Sequence, residues 1–168
     1  MDFRKVIGIG TIIIIFFSTL FIGCYSFQGS SLPSHIKSIA VPLFKDQSGF
    51  GEPSVREDMT SELINLFIKE SNLEIEDKTT ANAMLECSIV SVNVNPSVVS
   101  PGEQVTSQRV TVNVRVIYTD FVLQKKVWER DFSQWGDYEQ NSETRNDGIT
   151  RAIKKITEDI FTETISNW

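Results

Sequence analysis

Cysteine, histidine and positive charge are all scarce in this 168-residue chain, and each scarcity removes a class of function. Cys24 and Cys87 are the only cysteines, so there is no disulfide framework to read from spacing. His35 is the only histidine. No zinc-ligand spacing is present, nor a phosphate-cradling glycine loop, nor a nucleophile turn of the Gly-x-Ser-x-Gly type. A general base must be oriented by a partner, and no acid is tied to His35 by sequence, so the histidine reads as an exposed polar residue at a strand start. The chain is therefore expected to be no enzyme, and to use neither cofactor nor metal. Lysine and arginine number 16 against 22 aspartates and glutamates, a net charge of −6. That balance argues against nucleic acid as a partner, which needs a basic field.

Long hydrophobic runs are also rare, with one exception. Val6 to Ile22 is apolar apart from Gly8, Gly10, Thr11, Ser18 and Thr19, follows the basic pair Arg4 and Lys5, and stops at Gly23 before Cys24. This is the three-part layout of a secretory signal. A cysteine there resembles the lipobox of bacterial lipoproteins, where the thiol is acylated and the signal is cut just before it. Leu20 lies four residues before the cysteine and Phe21 occupies the place usual for leucine. The competing reading is an uncleaved anchor, since 17 residues is the short end of a bilayer span. The expected organisation is a signal peptide over 1–23, a flexible tether over 24–34 and one domain over 35–168. Residues 24–168 hold 14 basic and 21 acidic side chains, net −7. With Cys24 acylated, Cys87 is a lone thiol that shares parity with Leu85 and Ile89, and it is expected in a core.

Within the domain, the periodicities are clear in some places and brief in others. Ile36 to Phe44 predicts a short apolar strand ended near Pro42. Ser54 followed by Glu57 predicts a capping box and a helix whose Val55, Met59, Leu63, Leu66 and Phe67 share one side. Leu73 to Ile75 is briefly extended. Met84 to Val94 is β-branched, and its inward parity moves from Leu85-Cys87-Ile89 to Val90-Val92-Val94, which predicts a bulge near Ile89-Val90. Val110, Val112, Val114 and Val116 alternate with Thr111, Asn113 and Arg115, the pattern of a half-buried strand. Leu123 to Lys126 predicts a reversal into a partner strand from Val127 to Trp135 that carries Trp128, Arg130, Phe132 and Gln134 on one side. A second helix is expected from about Ser142 to Asn167, with Ile149, Ile153, Ile156 and Ile160 on one face. The predicted fold class is α+β, with two helices packed on one face of a mostly antiparallel four-stranded sheet in the order β-α-β-β-β-α.

Two local basic features remain. Lys125 and Lys126 sit at the hairpin turn, and Arg109 and Arg115 lie on the polar face of the preceding strand. They are either ordinary solvated surface or a small site for phosphate or carboxylate groups, which suit the arginine fork.

Cys24-Tyr25-Ser26-Phe27, the strand Ile36 to Phe44, Trp128-Glu129-Arg130-Asp131-Phe132 with Trp135-Gly136-Asp137-Tyr138, and the closing helix from Ala152 to Trp168 resemble, in order and spacing, the LptE family of lipopolysaccharide-assembly lipoproteins, in its divergent branch outside the proteobacteria. The resemblance implies two helices on a four-stranded sheet. It also implies an outer-membrane lipoprotein that sits in and supports the LptD β-barrel, and that contacts lipopolysaccharide through basic residues on a strand tip. Lys125 and Lys126 occupy a comparable turn. A second likeness, carried by Ile39-Ala40-Val41-Pro42-Leu43-Phe44, is to periplasmic lipoproteins of the curli-secretion or peptidoglycan-synthase-activator type. It implies an oligomeric pore or a cell-wall synthase partner. One antiparallel hairpin sheet closed by a terminal helix favours the first likeness, and further crossovers favour the second.

Overall fold

The computed structural model of the protein describes residues 32–97 and 107–166. The signal, Cys24, most of the tether, the middle of the Ser97 to Ser107 loop, and Trp168 lie outside the described residues. The elements run β1 (Ser38–Ala40), β2 (Lys45–Asp46), α1 (Pro53–Glu70), β3 (Glu74–Ile75), β4 (Ala83–Pro96), β5 (Ser107–Asp120), β6 (Lys125–Glu139) and α2 (Arg145–Ser166). The fold is α+β with a mostly antiparallel sheet, as expected, but the sheet has six strands rather than four. Its order is β3-β1-β4-β5-β6, with β2 alongside β4.

The additional strands come from two short segments. Pro42 cannot donate to a ladder, so the expected strand from Ile36 to Phe44 keeps only β1, and β2 forms just beyond its end. Both pair parallel to β4, and β3 pairs parallel to β1. A parallel neighbour needs a crossover, and α1 supplies it between β1 and β3. The rest of the sheet is one antiparallel meander in which β4, β5 and β6 span 14, 14 and 15 residues. The β4–β5 register slips between Ile89 and Ser91, and Val90 stands 41% exposed, which is the predicted bulge. Beyond it Val92 and Val94 pair with Val112 and Val110; of the three valines expected inward, Val92 packs against the core, while Val90 at the bulge and Val94 near the strand end are exposed.

Val110, Val112, Val114, Val116 and Tyr118 are fully buried on one face of the sheet, with Leu85, Cys87 and Ile89 of β4. The helices cover it with Val55, Met59, Leu63 and Phe67 of α1 and Ile149, Ile153, Ile156 and Ile160 of α2. Each such side chain contributes roughly 1.5–3 kcal/mol when fully buried. The helices also touch one another, for Phe67 meets Phe161 edge to face with centroids 5.1 Å apart. Buried Thr157 and Thr164 satisfy their hydroxyls on the carbonyls of Ile153 and Ile160, at 2.9 and 2.7 Å.

Both helix starts differ from expectation. For α1, Glu52 is the cap and Pro53 opens the first turn, with no side-chain cap bond. The fixed φ of proline suits the first helical position, and this draws Ser54 inside the helix and away from capping. For α2 the start is Arg145, not Ser142, because Asp147 in the first turn reaches back and fixes Thr144 just ahead of it. The Asp147 carboxylate accepts from the Thr144 backbone N–H and hydroxyl, both at 2.8 Å. Where α2 first meets β6, two glycines allow close approach. A Cβ on Gly136 would overlap the carbonyl oxygen of Gly148, and one on Gly148 would lie 2.8 Å from Cδ1 of Tyr138.

Strand β6 is the edge of the sheet, and an unprotected edge of that length invites pairing with another chain. Around its C-terminal half the edge is occupied by charged groups. Lys155 Nζ donates to the Trp135 carbonyl at 2.9 Å, Arg151 donates to the Asp137 carbonyl, and the Glu139 N–H donates to the Glu143 carboxylate at 2.9 Å.

Candidate functional site

The hairpin of β5 and β6 carries every basic residue singled out from the sequence. Its turn is Phe121 to Gln124, with Asp120 opposite Lys125. The reversal therefore ends before the lysines, which begin β6. Gln124 takes a left-handed φ of 50°, uncommon for a residue with a Cβ, so something must hold the turn. That anchor is Asp120, whose side chain is fully buried at the end of the valine face. Its carboxylate accepts from the Leu123 backbone N–H at 2.8 Å and from Nε2 of His35 at 2.8 Å. Since an ionised carboxylate only accepts, Nε2 carries the proton. Burial pushes the Asp120 carboxyl upward, but the bonds from His35 and from the Leu123 and Val122 amides outweigh it and hold the group below the usual aspartate range.

His35 is thus a partner of a buried acid, not the exposed residue that the sequence indicated. The two are 85 residues apart, so no local motif links them. The available signal was parity, which puts Asp120 on the same face as Val116 and Tyr118 and so marks an acid in need of a partner. Asn82 adds a second tie. Its Oδ1 accepts from the Lys37 and Ser38 amides at 3.0 and 3.2 Å, while its carbonyl accepts from Phe121 N at 2.8 Å. The start of β1, the start of β4 and the hairpin turn are fastened together at one end of the sheet.

The four basic residues do not converge. Lys125 and Lys126 are exposed at the tip, and Lys126 pairs with Glu129 at 2.7 Å. Lys125 makes no ion pair among the described residues. Arg115 lies on the helix-free face and grips Asp131 across the strands with two bonds, at 2.8 and 3.1 Å. Arg109 grips Asp137 in the same way, at 2.7 and 2.9 Å. It stands 11 residues along β5 from the turn, or about 36 Å at the rise of a strand. Hydrogen bonding to these arginines holds Asp131 and Asp137 below the ordinary carboxylate range. Both guanidinium forks are already filled by carboxylates. Arg109 also lies over the Trp135 ring, 5.1 Å from its centroid, with Lys155 5.5 Å from the same ring.

Between Arg109 and Arg115 the helix-free face is polar apart from Trp135, which lies opposite Thr111 and is 43% exposed. Asn113 donates to the Ser91 hydroxyl at 2.8 Å, and Thr111 and Ser133 continue the surface. An open cleft of about 730 Å³ is lined by Ala40, Val41, Pro42, Ile64, Ile75 and Lys78 among others, and neither His35 nor Asp120 lines it. Among the described residues no group of three or more histidine, cysteine or acidic side chains is arranged to hold a metal ion. No helix among them is long and apolar enough to cross a membrane.

A family model described as LptE, lipopolysaccharide-assembly, matches residues 36–164. This chain belongs to the LptE family. The match runs from the start of β1 to the end of α2, so the LptE assignment covers the packed domain, and the family is one of non-enzymatic lipopolysaccharide-assembly proteins. None of the curated proteins matches the sequence. Solved structures with this fold include hypothetical protein CT253 from Chlamydia trachomatis, at 8% identity and a TM-score of 0.58, covering 77% of this chain and 95% of that one. Protein XCC0632 from Xanthomonas campestris aligns at 10% identity and a TM-score of 0.57, over 80% and 88% of the two chains. The PelC dodecamer from Paraburkholderia phytofirmans aligns at 11% and 0.53, over 79% and 91%. At such identities the likeness is one of fold.

Proposed function

We propose that this LptE-family protein is an outer-membrane lipoprotein, acylated on Cys24, that seats in the lumen of an LptD-like β-barrel, supports its assembly, and contacts lipopolysaccharide through the hairpin tip. The observation that carries this reading is the family match across the whole packed domain. The surface is consistent with such a seat. A barrel lumen is polar and wet, and the helix-free face offers Ser91, Asn113 and the Arg115–Asp131 bridge to it. The long β4–β5–β6 meander is closed by one terminal helix, the arrangement that the barrel-plug reading expects.

Of the four candidate contacts, Lys125 and Lys126 are favoured over Arg109 and Arg115. The lysines hold at most one ion pair between them, whereas an anion reaching either arginine must displace a bidentate carboxylate. Purification from membranes in mild detergent is expected to bring down a β-barrel partner, with lipopolysaccharide retained less well by Lys125→Ala/Lys126→Ala than by Arg115→Ala. Recovery of the protein free of any barrel would overturn the reading.

A further inference from the structure

We infer that the tether is a seventh strand of the sheet, with Ser26 to Ser30 adding antiparallel to the open half of the β6 edge and Phe27 lying across from Phe132. The edge is protected on one half only. Trp135 and Asp137 turn their carbonyls, and Glu139 its N–H, away from β5 to meet Lys155, Arg151 and Glu143. In an antiparallel ladder the outward residues alternate, and the β5–β6 register runs without a break from Glu139 back to Trp128. Glu129, Asp131 and Ser133 therefore also direct both of their backbone groups outward. All three are exposed, and no described residue bonds to their outward N–H and C=O groups. Such an open edge is a template for one more strand.

Position, length and side-chain order identify the occupant. His35 is bonded to Asp120, whose cross-strand neighbour is Lys125 at the start of β6. The chain preceding His35 thus arrives at the end of the edge where the open half begins, and a path from Cys24 toward that end runs antiparallel to β6. By strand spacing and rise, Ser30 opposite Glu129 lies about 16 Å from Asp120, within the roughly 17 Å that five residues span back to His35. With Phe27 opposite Phe132, the same register sets Ser30, Gln28 and Ser26 against Glu129, Asp131 and Ser133 on the polar, helix-free face. Phe27 falls on the helix side, where Phe132 is partly buried beside Trp128, their centroids 6.2 Å apart. Cys24 comes level with Trp135, whose carbonyl Lys155 already occupies, so the tether and the open half end together. Residues 24–32 contain no proline and no charge, and covalent attachment presents them at an effective concentration of about millimolar. A second copy of β6 fits poorly, because antiparallel self-pairing centred on Glu129, Arg130 or Asp131 opposes like carboxylates. The inference rests on the proposed processing at Cys24 and gives the anchor its path: the acylated end leaves the domain beside Trp135, about 33 Å along β6 from the turn, which frees the turn to lead into the lumen.

The test follows hydrogen exchange at single amides of the mature, acylated chain in detergent micelles. The amides of Glu129, Asp131 and Ser133 are expected to be protected. Gln28→Pro removes a donor from the added strand without touching the described domain, and is expected to speed their exchange about tenfold, while Arg130 and Phe132, bonded to β5, keep theirs. Phe27→Cys/Phe132→Cys is expected to close a disulfide under mild oxidation, since opposed residues of a non-hydrogen-bonded pair lie about 4.5 Å apart at Cα. Phe27→Cys/Ser133→Cys, with side chains on opposite faces, should stay reduced, and Cys87 is buried. Exchange at the three amides as fast in the parent as in Gln28→Pro overturns the inference. So does protection that rises with protein concentration, which assigns the edge to a second copy, or that appears only with an added barrel, which assigns it to the barrel. Protection that persists in a protein recovered without any barrel supports the seventh strand while overturning the barrel seat.

Discussion

Replacing Asp120 with alanine is expected to loosen the domain start and the hairpin tip together. The variant removes two charge-assisted hydrogen bonds, one to His35 and one to the Leu123 amide, each 2.8 Å long. Hydrogen bonds to a charged group contribute roughly 1.5–3 kcal/mol apiece. With Asp120 fully buried, the loss should total about 3–5 kcal/mol, the scale for breaking a buried pair. That is a large part of the 5–15 kcal/mol by which a domain of this size is stable. Urea unfolding measures the total, and hydrogen exchange at the Leu123 amide reports the turn itself, where protection should fall even under conditions that keep the domain folded. Asp120→Asn retains an acceptor for Leu123 and should cost less. The same carboxylate gives a pH dependence of defined sign. Its folded pKa lies below the usual aspartate value, so its contribution is fully present above that value and is lost as pH falls through the folded one, below about pH 4. An Asp120→Ala cost under about 1 kcal/mol, with unchanged exchange at Leu123, would refute the assignment of this residue as the anchor of the turn.

Three further perturbations test the packing. Gly136→Ala should destabilise by about 1–3 kcal/mol or more, because a Cβ would overlap the Gly148 backbone and α2 would have to move off β6; a thermal melt within error of the parent would contradict the close approach. Thr60→Val should cost about 1–3 kcal/mol, since the Thr60 hydroxyl accepts from the buried Phe44 N–H at 3.1 Å and donates to the Arg56 carbonyl at 2.7 Å, and Thr60→Ser should restore most of it. Cys87 is buried, and burial together with Glu86 pushes its thiol well above the ordinary range; a thiol reagent should react with it only at the rate of unfolding, and rapid labelling of the native domain would be inconsistent with that burial.

What the sequence disclosed depended on how many residues repeated a pattern. The valines at 110, 112, 114 and 116 state their strand and their inward face directly, and the parity change at Ile89-Val90 located a bulge that the register confirms. Cys87 was placed in the core by the same parity. The extended stretch read at Leu73 to Ile75 is β3, but β2 and the parallel pairing escaped notice because β2 and β3 are two residues each, too short for any period, and the pairing is decided by where α1 returns the chain. The α1 cap was misread because two signals overlapped. Pro53 at the first helical position and Ser54-x-x-Glu57 one residue later give different starts, and the rigid proline decided between them. The start of α2 carried a usable signal in Thr144 and Asp147. At the candidate site, the arginine–aspartate bridges needed the strand register before they could be recognised, and the His35–Asp120 pair joins residues that no local pattern connects. The lysines were correctly expected at the hairpin end, although the reversal itself falls at Phe121 to Gln124.

The central claim, that an LptE-family domain tethered through Cys24 serves a lipopolysaccharide-exporting barrel, is tested most directly by depleting the protein in the cells that make it and following the mature, membrane-inserted barrel and surface lipopolysaccharide over the same interval. The account predicts that folded barrel and surface lipopolysaccharide fall together and that both recover with the parent chain but not with Cys24→Ala. Depletion that leaves both at their starting levels would contradict it.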